Sequence, residues 1–313
     1  MSIIKVEHLT KDYGYNRGVF DVSFTVRKGE VFGFLGPNGA GKTTTIRHIM
    51  GFSRPQSGKA SVNGMNCRKQ YHEILRDVGY LPGEIALPEH LTGTQFIKMM
   101  AELRGVTDMS YTEKLITKFE FNTTGKLKRM SAGMKRKLAI VTAFMHDPAI
   151  LVLDEPTSAL DPVMQDIFIQ FILEEKARGK TILLSSHMFS EVDATCDRIS
   201  IIKDGWLVST FVADDLRHNE RKEWKIEFAD RVEFDRFRRE IEQPKKLNVV
   251  LADEQRNQVH IVAYDNDVSN LIEGLANYSL NFMAEIKFTL EDYFMKFYDK
   301  DTQIEGGSDD AFN

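Results

Sequence analysis

The feature that most restricts this chain is the apolar run Val31-Phe32-Gly33-Phe34-Leu35, which leads straight into Gly36-Pro37-Asn38-Gly39-Ala40-Gly41-Lys42-Thr43. Such a run, bounded by glycines, suits a strand covered on both faces, the pattern of a parallel sheet. The residues after it match G-x-x-x-x-G-K-[ST], and helical sequence follows from Lys42 to about Met50. Strand, small-residue loop and helix in that order make a phosphate cradle: backbone N–H groups wrap around phosphate oxygens and the helix N-terminus adds partial positive charge. Lys42 supplies a point charge to the outer phosphates and Thr43 a hydroxyl to Mg²⁺. The expected nucleotide-binding set is therefore Gly36, Pro37, Asn38, Gly39, Ala40, Gly41, Lys42, Thr43 and Thr44. A glycine-rich turn without a ligand is the plain alternative, and it gives the lysine no reason to be there.

The same apolar pattern returns at Ile150-Leu151-Val152-Leu153 and Thr181-Ile182-Leu183-Leu184, so the first half of the chain is expected to be α/β. One run ends in Asp154-Glu155 and the other passes through Ser185-Ser186 to His187. Ligands of open α/β sheets bind beyond the carboxyl ends of strands, which places these side chains in the crevice of Lys42. Asp154 is assigned to Mg²⁺ and Glu155 to polarising the nucleophilic water as general base. His187 is assigned a hydrogen bond to the terminal phosphate or to that water. Lys42, Glu155 and His187 form the expected catalytic set. An exposed acidic turn and a structural histidine are the bland alternatives, and the phosphate loop weighs against both.

From about Pro88 to Gly133 apolar residues recur at helical spacing: Phe96, Met99, Met100 and Leu103, then Leu115, Ile116 and Phe119. This reads as a helical insertion whose apolar stripe packs in the core. The character changes after Asp204-Gly205, and the charged run His218 to Glu223 reads as a linker or solvated face. Beyond it the pattern predicts strand 224–228, helix 233–241, strands 247–251 and 259–264, helix 268–278 and strand 282–288. That βαββαβ order is the order of a small α+β, ferredoxin-like domain. The expected division is a large domain over 1–216, a linker over 217–223, an accessory domain over 224–300 and a disordered tail over 301–313.

Composition narrows the class without naming it. Apolar residues at 42% and charged residues at 28% belong to an ordinary globular chain, and a net charge of -5 calls for neither nucleic acid nor an anionic membrane. Cys67 and Cys196 are far apart, so a cysteine-held metal or redox pair is not expected and a reducing compartment is. No apolar run approaches the ~18 residues of a membrane span. Glu7 stands where a signal peptide needs an apolar core, so any membrane role requires a separate spanning partner.

Several further segments carry a resemblance. Arg129-Met130-Ser131-Ala132-Gly133-Met134-Lys135-Arg136-Lys137-Leu138 resembles the signature segment of ATP-binding cassettes, usually Leu-Ser-Gly-Gly-Gln before a basic helix. Asp154-Glu155-Pro156-Thr157-Ser158-Ala159-Leu160-Asp161-Pro162 resembles the second acidic motif running into its D-loop. Leu184-Ser185-Ser186-His187 resembles the switch-histidine segment, and Lys11-Asp12-Tyr13-Gly14 the loop whose aromatic ring stacks on adenine. From about Ile3 to Leu216 the chain is similar to the ABC ATPases. That resemblance implies a cassette with an N-terminal antiparallel β subdomain, a mostly parallel core sheet and a helical subdomain, binding ATP with Mg²⁺. It also implies a head-to-tail dimer, more readily of identical than of different chains. Ser131, Ala132, Gly133 and Met134 would then act on the nucleotide of the other subunit, beside a D-loop of Ser158, Ala159, Leu160 and Asp161. The pair would drive a separate integral-membrane permease from the cytoplasmic face of the membrane, with no nucleic acid involved.

Two departures stand out. In Val78-Gly79-Tyr80-Leu81-Pro82-Gly83-Glu84 the place of the Q-loop glutamine is held by Gly83 or Glu84; a carboxylate would still reach Mg²⁺ and a glycine would not. The signature carries Ala132 and Met134, which bears on ATPase rate and coupling more than on binding. The glutamine-poor loop, the single cassette and the added C-terminal domain together look most like the ABC-2 or drug and bacteriocin exporter type, and Thr289-Leu290-Glu291-Asp292-Tyr293-Phe294 resembles the closing segment of the domain appended there. The alternatives are a soluble cassette ATPase on ribosomes or nucleic acid, and an ATP-binding regulatory module with little turnover.

Overall fold

In the first strands buried and exposed side chains alternate, as in a sheet with one face on a core and one toward water. A computed structural model describes residues 1–217, 221–241, 248–286 and 289–297. The strands of the first unit are β1 (Ser2–Asp12), β2 (Gly18–Arg27), β3 (Val31–Leu35), β4 (Ser57–Val62) and β5 (Met65–Asn66). They continue with β6 (Val78–Leu81), β7 (Ile150–Asp154), β8 (Thr181–Ser186), β9 (Arg198–Lys203) and β10 (Trp206–Val212). An antiparallel sheet has the order β2-β1-β4-β5, with Ile4, Val6, Leu9, Val22 and Val26 turned into the core.

The larger sheet runs β10-β9-β3-β8-β7-β6, parallel from β9 to β6, with β10 added antiparallel at one edge. Every residue of β3, β7 and β8 is buried, so both faces of these strands are covered, as their unbroken apolar runs require. Register then does the positioning. Leu35 is paired with Ser186 and Asp154 with Ser185, so the carboxyl ends of β3, β8 and β7 finish side by side.

Between β6 and β7 lie the helices Gly93–Arg104, Ser110–Lys118 and Ala132–Phe144. The first starts at a capping box, with Thr92 accepting from Gln95 N–H and the Gln95 side chain accepting from Thr92 N–H. Its stripe differs from the expected one. Gly93, Phe96, Ile97 and Ala101 are buried, Met99 and Met100 are half-buried, and Leu103 is 73% exposed. Spacing from Phe96 fits two neighbouring faces of one helix, and the packing selects the face that carries Ile97. Leu115 and Phe119 are buried as expected and Ile116 is half-buried.

The chain divides into units Met1–Ala213 and Asp214–Asn313. The break after Ala213 lies close to the expected end of the large domain at 216, and Asp204-Gly205, where the character of the sequence changes, turn the β9–β10 hairpin with positive φ of 49° and 83°. In the second unit β11 (Arg221–Phe228), the helix Arg231–Ile241, β12 (Asn248–Asp253), β13 (Gln258–Tyr264), the helix Val268–Leu275 and β14 (Leu280–Ile286) follow in order. Its antiparallel sheet runs β12-β13-β11-β14 over a core of Ile226, Phe228, Phe234, Phe237, Val259 and Ile261.

The linker expected over 217–223 is corrected at Arg221–Glu223, which belong to β11 opposite Tyr264, Ala263 and Val262. Lys222 and Glu223 are met locally: Lys222 lies 2.8 Å from Asp265, and His260 Nδ1 is 2.8 Å from Glu223 Oε1. A charged run can thus be strand when its partners stand opposite. Residues 218–220, Leu247, 287–288 and the expected tail 301–313 lie outside the described residues. Thr289 caps the helix Leu290–Met295 through a second capping box with Asp292.

Candidate nucleotide site

The loop after β3 is tied to β8 by Gly36 N–H, which donates to Ser186 O at 3.3 Å. It rises to an exposed tip at Asn38 and Gly39, returns through buried Ala40, and enters the helix Lys42–Ile49 at Gly41. Gly41 has φ 110°, and a Cβ there would stand 2.6 Å from Val19 Cγ1, so glycine alone makes this turn. The helix ladder reaches back to Gly41 O from Thr45 N–H at 2.9 Å, and the amides of the preceding turn face the loop. Thr43 and Thr44 are half-buried in that first turn. Lys42 is 4% exposed, and its ammonium donates to Gly36 O at 2.6 Å and Pro37 O at 3.0 Å.

At the end of β7, Asp154 is fully buried. Ser185 Oγ donates to its Oδ1 at 2.5 Å, while Oδ2 is buried without a hydrogen-bond partner. Glu155 adopts φ 49°, a left-handed backbone that costs a non-glycine residue on the order of 1–3 kcal/mol. Its N–H donates to Ser185 O at 3.0 Å, which swings the carboxylate toward the loop. Oε1 lies 2.9 Å from Lys42 Nζ, an ion pair outside hydrogen-bond alignment, and Oε2 lies 2.6 Å from His187 Nδ1. Lys42, Glu155 and His187 thus form one continuous chain, with the His187 ring half in solvent.

The remaining expected residues are placed as follows. Tyr13 stands just beyond β1, 52% exposed, with Lys11 Nζ 5.3 Å from its ring centroid. Gly83 lies against the acids, since a Cβ on it would come within 3.0 Å of Asp154 Oδ2, whereas Glu84 is exposed. Ser131 caps the helix Ala132–Phe144 by accepting from Met134 N–H at 3.2 Å; Ser131 and Ala132 are exposed, Gly133 and Met134 half-buried. Leu160 is buried, Ala159 has φ 65°, and Asp161 caps the helix Pro162–Ala177 by accepting from Met164 N–H at 3.0 Å.

Three residues of the site lay outside the sequence reading. Ser185 stands in a segment that points to His187, Glu191 in no motif, and Arg136 in a run that reads only as a basic helix. Arg136 is nevertheless buried, its pKa lowered by burial while Asp154, Glu155 and Glu191 act in the opposite direction. Burial likewise pushes the Tyr80 phenol up to about 12, with the charge of Asp154 adding to it.

A family model described as ABC transporter matches residues 19–158. The uncharacterized ABC transporter ATP-binding protein YhcH of Bacillus subtilis is 31% identical over 305 residues, covering 94% of this chain and 95% of that protein. The chain belongs to the ABC transporter ATP-binding proteins. The bacitracin transport ATP-binding protein BcrA of Bacillus licheniformis is 35% identical across 73% of this chain and 76% of its own. A solved ATP-binding subunit of an ABC transporter superposes with a TM-score of 0.63 at 32% identity, covering 69% of this chain and 92% of that one. The first unit is thus an ABC cassette of mixed α/β structure and the protein an ABC-type ATPase that binds ATP. Among the described residues no helix is long and apolar enough to cross a membrane.

Proposed function

We propose that this ABC ATPase works as a dimer, in the first instance of two identical chains, at the cytoplasmic face of a membrane, where it powers export through a separate permease. Relatives named for bacitracin transport and for linearmycin resistance, 35% and 34% identical, support the export direction. The ferredoxin-like reading of the second unit is supported by its βαββαβ order and by the strand order β12-β13-β11-β14.

The observation that carries the reading is the chain Lys42–Glu155–His187 beside an Asp154 oxygen with no partner. A buried carboxylate oxygen without a donor suits a divalent cation, so Asp154 and Thr43 would hold Mg²⁺. When bound, that ion neutralises phosphate charge. Lys42 exchanges its contact with Glu155 for oxygens of the outer phosphates, which frees Glu155 Oε1. Glu155 then takes the proton of the attacking water, whose oxygen bonds to the γ-phosphorus as the bond to ADP breaks. His187, anchored on Oε2, keeps the carboxylate aimed. Tyr13 offers its exposed ring to adenine, and the exposed start of the signature helix at Ser131 is offered to the nucleotide of the second subunit.

Glu155→Gln tests the assignment. Turnover is expected to fall by about 10²–10⁴-fold while ATP affinity holds and ATP-held dimers accumulate on gel filtration. Normal turnover in that variant would remove Glu155 from its role. The reading of a module with little turnover draws on the exposed Glu84 and on Gly83 beside Asp154, and a measurable ATPase rate of the wild-type chain decides against it.

A further inference from the structure

Arg136 sits in the signature helix Ala132–Phe144 and is 4% exposed, yet no carboxylate bonds to it within the described residues. Its Nε donates to Ser158 O at 3.1 Å, Nη1 to Pro82 O at 2.9 Å and Nη2 to Gly83 O at 2.6 Å. Nη2 also donates to Ser158 Oγ. One rigid fork therefore holds three segments far apart in sequence: the signature helix, the Q-loop position and the first residue of the D-loop. Burying a guanidinium is costly, and packing alone would be served as well by an apolar side chain. The geometry asks for another reason to keep an arginine here.

What the fork holds supplies one. Gly83 lies beside Asp154, where a Cβ added to it would stand 3.0 Å from Asp154 Oδ2. On the same helix as Arg136, Gly133 packs so tightly on the D-loop that a Cβ would stand 2.9 Å from Ala159 O. We propose that Arg136 is a positioning residue that fixes the Asp154 seat, the D-loop and the signature segment Ser131–Met134 as one block. With no glutamine at the Q-loop position to report on the metal and water, the register of that loop over Asp154 is set instead from the signature helix. Each cassette then offers its signature to a partner only in the arrangement in which its own metal seat is formed. This rests on the reading of Ser131–Met134 as the segment presented to a second subunit.

Arg136→Lys and Arg136→Met test it in the full chain, each alone and together with Glu155→Gln. ATP binding to the single chain is expected to stay within about twofold, because the Lys42 cradle is untouched. Turnover should fall by about ten- to hundredfold with little change in KM, since the loss is one of alignment. In the Glu155→Gln background the protein concentration needed for ATP-driven dimers should rise by about tenfold or more. Lysine should not rescue, because one ammonium cannot span three acceptors. Turnover and dimerisation within twofold of the parent overturns the proposal, and so does restoration by lysine, which would leave only a charge effect. A fall in Tm with an equal loss of ATP binding overturns it in favour of a packing role. Failure of the Glu155→Gln parent itself to bind ATP or dimerise would instead count against the reading beneath it.

Discussion

Lys42 and Glu155 form a largely buried ion pair at 2.9 Å. Removing the ammonium in Lys42→Ala leaves Glu155 with His187 alone and takes the point charge from the cradle. Charge-assisted contacts of this kind contribute about 1.5–3 kcal/mol, so ATP affinity is expected to drop by about ten- to hundredfold, read by equilibrium dialysis. Unchanged affinity would count against the cradle.

Glu191, in the helix Phe189–Thr195, poses a separate question because both its oxygens are buried without a well-aligned partner. Ser186 Oγ accepts from Met188 N–H at 2.9 Å and Thr157 Oγ1 donates toward Met188 Sδ at 3.6 Å. Burial pushes the acid up to about 7 from an unfolded value of 4.5, against the opposing pull of Ser186 and Thr157. Between those values the folded chain holds a proton that the unfolded chain has released. The contribution to stability is therefore complete below pH 4.5 and is lost as pH rises through 7. Glu191→Gln abolishes the slope, so its stability relative to wild type should grow by about 3 kcal/mol between pH 4.5 and 8, measured from urea midpoints. His146, held near 4 chiefly by burial, contributes an opposite slope to both proteins and cancels. A gap that does not change with pH would show Glu191 to be ionised in the fold.

The elements meet at the site through their ends. Gly41 starts a helix there, and Glu155 and Ala159 hold left-handed backbone between β7 and the helix that Asp161 caps. Gly133 is a close joint between the signature helix and the D-loop, and Gly133→Ala would drive its methyl against Ala159 O, backbone that is already strained. Overpacking of this sort costs about 1–3 kcal/mol, and a displaced D-loop lowers turnover by about tenfold or more. Thermal melts and ATPase rates on the same variant check both; a melt and a rate equal to wild type would mean the helix and D-loop have slack. The glycine therefore has a reason within its own subunit, besides any contact with a partner's nucleotide.

At the scale of the whole chain, each unit has its own core, one around Val22, Phe32 and Ile46 and one around Phe228, Phe234 and Ile261. A chain ending at Leu216 should fold and bind ATP with unaltered affinity. We expect its ATP-driven dimers to form only at protein concentrations about threefold higher or more, which assigns the second unit a supporting role in assembly. Equal dimer formation by the shortened and full chains, followed by analytical ultracentrifugation, would leave that unit some other task.

Lys42, Thr43, Asp154, Glu155 and His187 were legible in the sequence because each follows a buried strand, and register alone carries such residues to one edge of the sheet. The strands were legible for the same reason: a run apolar at every position has only a covered strand to occupy. What the sequence left open was whatever depends on which faces meet. Gly83 and Glu84 are equal candidates until packing puts one against Asp154 and the other in solvent, and the stripe expected through Leu103 gives way to the face that carries Ile97, which spacing alone does not single out. Arg136 reads in sequence as one more cation on a basic helix. Only the tertiary structure buries it among carbonyls of Pro82, Gly83 and Ser158, because hydrogen bonds between distant segments leave no local pattern behind.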